Sequence, residues 1–507
     1  MIRKVPSFLL ACICWSSLHC ALASADQVNA KTVGQFDHHG DVGAVKHTGS
    51  SVYDPAAQEY HLSGAGTNMW FAQDEFQFVW KKMRGDFVLR CQAELLGAGV
   101  DPHRKLGWMI RSSLDTDSPY VDLAVHGDGL TSMQFRRNKG DNTEQVESPV
   151  KAPNVLQLVR KNNKYVMSVA KHGEVLTSSE LEGIQLGDEV YVGLFICSHN
   201  ADVVEKAIFR NVRVVIPAPD DFRPYRDYIG SRLEVLQVST GQRRIVHTEP
   251  DSLQAPNWTR DDAALIYNRN GKLYRFDIAE GRAEEVNTGT ATQNNNDHVI
   301  SSSGSMLGIS NHTGEGRKSV VYTLPILGGD PKRITTPDAH SYLHGWSPDD
   351  QFLIYTAQRN DDFDIFRIPS GGGQEVNLTQ TAGLDDGSEY TPDGKYIYFN
   401  STRSGLMQIW RMDADGSNQI QITDDEYNNW FPHIAPDGQS MVIISYDQSI
   451  EPTDHPFYKH CYLRQLNLDG SQARVIAYVY GGQGTINVPS WSSDSQRLAF
   501  VSNSQLD

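Results

Sequence analysis

Trp346-Ser347-Pro348-Asp349-Asp350 returns 44 residues later as Tyr390-Thr391-Pro392-Asp393-Gly394, and after another 44 as Ile434-Ala435-Pro436-Asp437-Gly438. Looser copies stand at Trp258-Thr259-Arg260-Asp261-Asp262, Ile300-Ser301-Ser302-Ser303-Gly304 and Trp491-Ser492-Ser493-Asp494-Ser495. The six anchors are spaced 42, 46, 44, 44 and 57 residues apart. Each is followed by short strand-like runs separated by turns. A period in the forties filled only by strands and turns predicts a four-stranded propeller blade.

Working outward, both ends of the array are incomplete. After the sixth anchor the chain supplies only residues 497–502 as a strand, so that blade is two strands short. Before the first anchor, residues 233–238 and 243–247 form two strands without a blade. If this pair completes the sixth blade, the ring closes without a covalent link and leaves no unpaired inner edge. The prediction is a six-bladed β-propeller over residues 231–507. Upstream, Pro217, Pro219 and Pro224 break every periodicity, and residues 218–230 read as a stiff linker. Residues 26–217 hold period-2 runs at 86–95, 105–112, 120–126, 155–159, 165–171, 189–197 and 207–216. Roughly eight such strands without a helical period predict a two-sheet β-sandwich. The fold class is therefore all-β: an N-terminal sandwich of jelly-roll type followed by the propeller.

Three phrases carry a family resemblance: Trp346-Ser347-Pro348-Asp349-Asp350, Thr391-Pro392-Asp393-Gly394-Lys395-Tyr396-Ile397-Tyr398-Phe399 and Ile409-Trp410-Arg411-Met412-Asp413-Ala414-Asp415-Gly416. They resemble the repeats of TolB-type six-bladed propellers. The resemblance implies a periplasmic or secreted propeller closed by an early strand. Such propellers serve as protein-binding platforms, as lyase-like enzymes and as peptidase domains, so fold alone does not fix activity. The segments Trp70-Phe71-Ala72-Gln73-Asp74-Glu75-Phe76-Gln77-Phe78, Gly85-Asp86-Phe87-Val88-Leu89 and Gly107-Trp108-Met109-Ile110-Arg111 resemble a concanavalin or laminin-G type jelly roll. That class often binds carbohydrate.

The 507 residues include 45 Lys and Arg against 62 Asp and Glu, a net charge of −17, and no basic block occurs. Nucleic acid, which needs local positive charge, is excluded as a partner. Arg3 and Lys4, an apolar run over 8–15 and the small residues Ala23-Ser24-Ala25 form a secretory signal ending near residue 25. A lipobox reading of Leu9-Leu10-Ala11-Cys12 competes, but its preceding apolar run is unusually short. No later stretch reaches the length of a membrane span. A periplasmic or secreted destination follows. Three cysteines remain after the signal, Cys91, Cys197 and Cys461. Either Cys91 and Cys197 pair, or both are buried thiols.

In a propeller the loops leading into each innermost strand share a face with the loops between the second and third strands. The anchor turns lie on the opposite face as scaffold, where Gly and Asp suit tight backbone. The polar residues preceding the anchors therefore crowd one mouth: His298, His344, Asp386, Glu389, Trp430, His433 and Asn487. The 57-residue spacing reflects an insertion in the fifth blade carrying His455, Tyr458, Lys459 and His460 to the same face. These eleven residues are the candidate ligand site, with Trp430 and Tyr458 as stacking surfaces for sugar rings. His298, His344 and His433 are the candidate ligands of a divalent metal, zinc, manganese or calcium. Asp361-Asp362-Phe363-Asp364 is a second calcium-type cluster, for which a solvated loop is the simpler reading. The expected partner is a carbohydrate or glycan fragment. An alternative is a metal-assisted polysaccharide lyase or glycoside-cleaving enzyme, in which a cation neutralises a uronate while His or Tyr moves a proton. A further alternative is a protein-interaction platform in the envelope.

Overall fold

The computed structural model describes residues 32–506 apart from Glu315, Pro337, Asn360, Asp361 and Gln483. The signal-like segment 1–25 lies outside the described residues, as does Asp361. Every regular element described is a β-strand.

Residues 231–503 form six sheets arranged as predicted from the repeat. Five are four-stranded and antiparallel, such as Ser341–Trp346, Phe352–Arg359, Asp362–Pro369 and Val376–Asn377 in the third blade. The sixth joins the two ends of the repeat array: Ser231–Gln237 pairs with Arg497–Asn503 on one side and Gln242–Glu249 on the other. A single bridge between Trp491 and Leu498 marks where its innermost segment runs. The anchors explain themselves once folded. Ser347 and Thr391 accept the backbone N–H five residues on, at 2.9 and 3.1 Å, and donate to Asp349 and Asp393. The anchor indoles tie neighbouring blades together, Trp346 donating to the Val299 carbonyl and Trp491 to that of His433.

The inner strands share a second feature. In blades one to five the register of the innermost strand slips, between Gln254 and Asn257, Asn294 and His298, Leu343 and Gly345, Asp386 and Glu389, and Trp430 and His433. Each slip is a β-bulge or a similar irregularity, which adds one residue to the inner strand, or two in the second blade, and redirects its side chains. The bulges coincide with the polar segments in front of the anchors.

Residues 38–215 form two antiparallel sheets of seven strands each. One runs from His38–Val42 through Phe76–Arg84, Glu189–Cys197 and Lys105–Arg111 to Glu144–Glu147; the other has Phe87–Leu96 at its centre. Val79, Trp108, Leu123 and Leu194 of the first share a buried cluster with Leu89, Leu158 and Phe209 of the second. Fourteen strands stand where roughly eight were expected. Several of the additional ones, such as Glu144–Glu147 and Thr177–Glu182, are short edge strands with largely uncovered polar side chains, which leave little alternation to read. Cys91, Cys197 and Cys461 are all free and buried.

The N-terminal sheets dock on blades five and six through buried polar contacts. Glu234 of blade six is fully buried and pairs with Arg213 of the N-terminal unit at 2.7 Å and with Arg243 at 2.8 Å. The Gln58 side chain exchanges two hydrogen bonds of 2.9 Å with the Ile245 backbone. Arg90 bonds Gln157 and reaches across to the Tyr478 carbonyl.

Candidate functional site

The inner-strand bulges and the loops between second and third strands border one cavity of about 840 Å³ at the propeller mouth. Asp297, His344, Asp386 and Phe431 arrive from bulges, Arg317 and His455 from loops. The wall is unusually rich in amides, with Gln254, Asn270 and the run Gln293 to Asn296.

At its floor Asp386 gathers two imidazoles. His344 Nε2 lies 2.8 Å from Asp386 Oδ1 and His455 Nε2 lies 3.2 Å from Oδ2. Oδ1 also accepts the Thr356 hydroxyl at 2.6 Å and the Gly387 N–H at 2.8 Å. The His344 contact is electrostatic rather than directional, because Nε2 has no aligned hydrogen bond. Burial disfavours both charges, but the pair outweighs it. Asp386 is held well below the usual carboxylate range by His344 and His455, and the His344 pKa is raised by Asp386. The floor therefore carries an ionised acid beside an imidazole whose protonated form that acid favours. Asp297 behaves oppositely. Burial pushes its carboxyl up to about 6, with Asp386 adding to the rise and His344 and His455 opposing it. The Asn487 amide donates to Asp297 at 3.1 Å and so positions it.

Of the eleven sequence-derived residues, His344, Asp386 and His455 line the cavity, and Asn487 supports it through Asp297. The others lie elsewhere. His298 is fully buried and bonds the Ile266 carbonyl of blade one; burial lowers its pKa to about 4, so it is neutral. Glu389 and His433 pair at 2.8 Å, and His433 also meets the Ile486 carbonyl, joining blades four, five and six. Trp430 is 2% exposed and packs against His455 with ring centroids 4.7 Å apart, so it supports an imidazole and offers no open face. Tyr458 is turned to the connecting segment, its hydroxyl accepting the Ile229 N–H at 3.2 Å. His460, exposed near the start of its strand, sits against Arg90 of the N-terminal unit, and desolvation together with the Arg90 charge lowers its pKa. Lys459 is exposed at the start of its strand and does not line the cavity.

The expected metal set of His298, His344 and His433 does not converge, since each imidazole is committed to a different partner. Among the described residues no group of three or more His, Cys, Asp or Glu is placed to hold a metal ion. In the calcium-type cluster, Asp364 instead accepts from Asn377 and Thr379 within its own blade. The residues missed from sequence are Asp297, Phe431 and the aromatics of the connecting segment, Tyr225 and Tyr228. Asp297 was legible as part of the polar run before the second anchor. The tyrosines carried no signal, because nothing in the repeat places a linker at the mouth.

The profile of the TolB beta propeller domain matches residues 315–459. An uncharacterised protein of Agrobacterium fabrum (strain C58) is 42% identical over 272 residues, which are 54% of this chain and 92% of that protein. A solved structure described as a putative TolB from Agrobacterium tumefaciens is 40% identical. It is covered over 100% of its length by 55% of this chain, with a TM-score of 0.53. A TolB from Acinetobacter baumannii is 18% identical over 50% of this chain and 64% of its own, with a TM-score of 0.39. The chain belongs to the TolB-type β-propeller family. Among the described residues no helix is long and apolar enough to cross a membrane.

Proposed function

We propose that this is an exported glycan-recognition protein whose ligand sits in the propeller mouth. The observation that carries this reading is the composition of the cavity. Planar amides can exchange hydrogen bonds with sugar hydroxyls, although most of them also donate to the protein frame, as Gln254 does to Ser252 and Asn270 to Asp251. They surround the Asp386–His344 floor and stand beside the aromatic rings of Tyr225, Tyr342 and Phe431. A cavity of about 840 Å³ with a few convergent polar groups is of ligand-binding size. Export is supported by the charged, apolar and small-residue sections of residues 1–25.

The reading extends to a two-domain organisation, with residues 26–217 as a concanavalin-like sandwich and second contact surface, 218–230 as linker and 231–507 as propeller. Two seven-stranded antiparallel sheets sharing one core support the sandwich. Calorimetric titration of the mature protein against an oligosaccharide panel tests the ligand class. Binding is expected for at least one series, and Asp386→Asn should weaken it by at least about tenfold by releasing both imidazoles. Absence of binding across the panel, with capture of peptides instead, would replace the glycan by a protein ligand.

One observation favours an enzyme as the second reading. Asp297, its carboxyl raised to about 6 by burial, shares the cavity with His344, whose pKa is raised by Asp386. A carboxyl raised towards neutrality beside an imidazole is a candidate acid–base pair. Product formation from a bound glycan that disappears in Asp297→Asn, with binding retained, would establish it.

A further inference from the structure

The ring of Tyr225 stands at the cavity mouth, yet it belongs to no blade. It is 65% exposed, and its backbone lies at φ 63°. A bulky residue in the left-handed region is costly, about 1–3 kcal/mol, and such strain persists where surrounding structure holds it. An exposed ring gains little from burial in return. The ring therefore contributes less to folding than a buried aromatic would.

The surroundings hold it firmly. Arg223 and Asp227 close a turn around Tyr225, with guanidinium to carboxylate bonds of 2.8 and 2.9 Å and the Arg223 N–H on the same carboxylate at 3.0 Å. The fifth-blade insertion receives this turn. Phe457 packs edge-to-face against Tyr225 with centroids 4.9 Å apart, and Tyr458 meets Phe222 at 4.9 Å. The Tyr458 hydroxyl fixes the Ile229 N–H, and that of Tyr480 fixes the Ala218 N–H at 3.1 Å. The insertion is thus a socket for the connecting segment. Its aromatic residues position one ring over a polar cavity.

We propose that Tyr225 is a stacking platform for the outer ring of an oligosaccharide whose terminal ring lies on Asp386 and His344, so that the connecting segment selects for chain length. The inference rests on the glycan reading of the mouth and narrows its ligand to an oligosaccharide of several rings. The cavity is large enough for this. Its volume of about 840 Å³ lies near the top of the range of about 300–1,000 Å³ that takes drug-sized ligands, well beyond one sugar ring. An apolar ring face matches the C–H face of a pyranose, and a tyrosine with two side-chain torsions loses little entropy on binding.

The test is calorimetric titration of the mature chain with β-1,4-glucan, chitin and α-1,4-galacturonan oligomers of one to six rings. In the wild type, affinity in the recognised series should rise by about tenfold between the shortest and longest oligomers. Tyr225→Ala should remove that rise while leaving the shortest oligomer that binds within about twofold, which also shows that the mouth is still folded. Tyr225→Phe should keep the rise. Equal losses at every length, or no change in Tyr225→Ala, would overturn the platform while leaving the glycan reading intact. A wild type that binds no oligomer would overturn both.

Discussion

Asp297 illustrates how one side chain in the mouth couples ionisation to stability. Its carboxyl is raised from an ordinary 3.8 to about 6, so the folded chain binds that proton more tightly than the unfolded chain. Its contribution is most favourable at low pH and declines as pH rises from about 4 through 6. Asp297→Asn retains an oxygen for the Asn487 amide and removes the titration. It is expected to be more stable than wild type by about 1–3 kcal/mol at pH 7.5, with the gain shrinking towards pH 4. Calorimetry at the two pH values measures this. His344 has the same sign for a different reason. Its raised pKa means that its stabilisation is complete below its unfolded value, near 6.5, and is lost as pH rises through the folded value. Asp386 opposes both, its stabilisation being present at neutral pH and lost only in strong acid.

At the scale of the element, the bulge is what converts a repetitive scaffold into a site. A regular inner strand would send alternate side chains into the neighbouring blades. The extra residue turns Asp297, His344, Asp386 and Phe431 to the cavity. Gly387 makes the fourth-blade bulge possible. It adopts φ 64°, and a Cβ there would lie 2.3 Å from Asn400 Oδ1 and 2.8 Å from the Phe431 ring. Gly387→Ala is therefore expected to destabilise the protein by about 1–3 kcal/mol and to displace Asp386. Thermal unfolding should show the first effect and loss of glycan affinity the second. A substitution without either consequence would mean that the bulge is not under steric control.

At the scale of the whole molecule, ring closure and domain docking meet at Glu234. Its strand pairs with residues 497–503 to close the propeller, while its carboxylate holds Arg213 of the N-terminal unit and Arg243 of its own blade. Glu234→Gln leaves two buried guanidinium groups without their counter-charge, a loss of about 3–5 kcal/mol. The wild type should unfold in one calorimetric transition, and Glu234→Gln should show a lowered and divided one. A divided transition already in the wild type would show that the two units are not energetically coupled.

The repeat itself specified the propeller. Six anchors at near-constant spacing, with half a blade stranded at each end, admit one closed arrangement, because an unpaired inner edge is unfavourable. It also indicated which loops share a face, and His344, Asp386 and His455 line one cavity. What it did not contain was the direction of each side chain within those loops. His298 and His344 precede their anchors in similar fashion, yet one turns into a neighbouring blade and the other into the cavity. That choice depends on where each inner strand slips register against its neighbour, a property of paired strands rather than of either alone. His460 and Tyr458 were drawn away by partners more than two hundred residues distant, Arg90 and Ile229. Local pattern carries periodicity, closure and face, whereas contacts between distant segments select which polar groups remain free for a ligand.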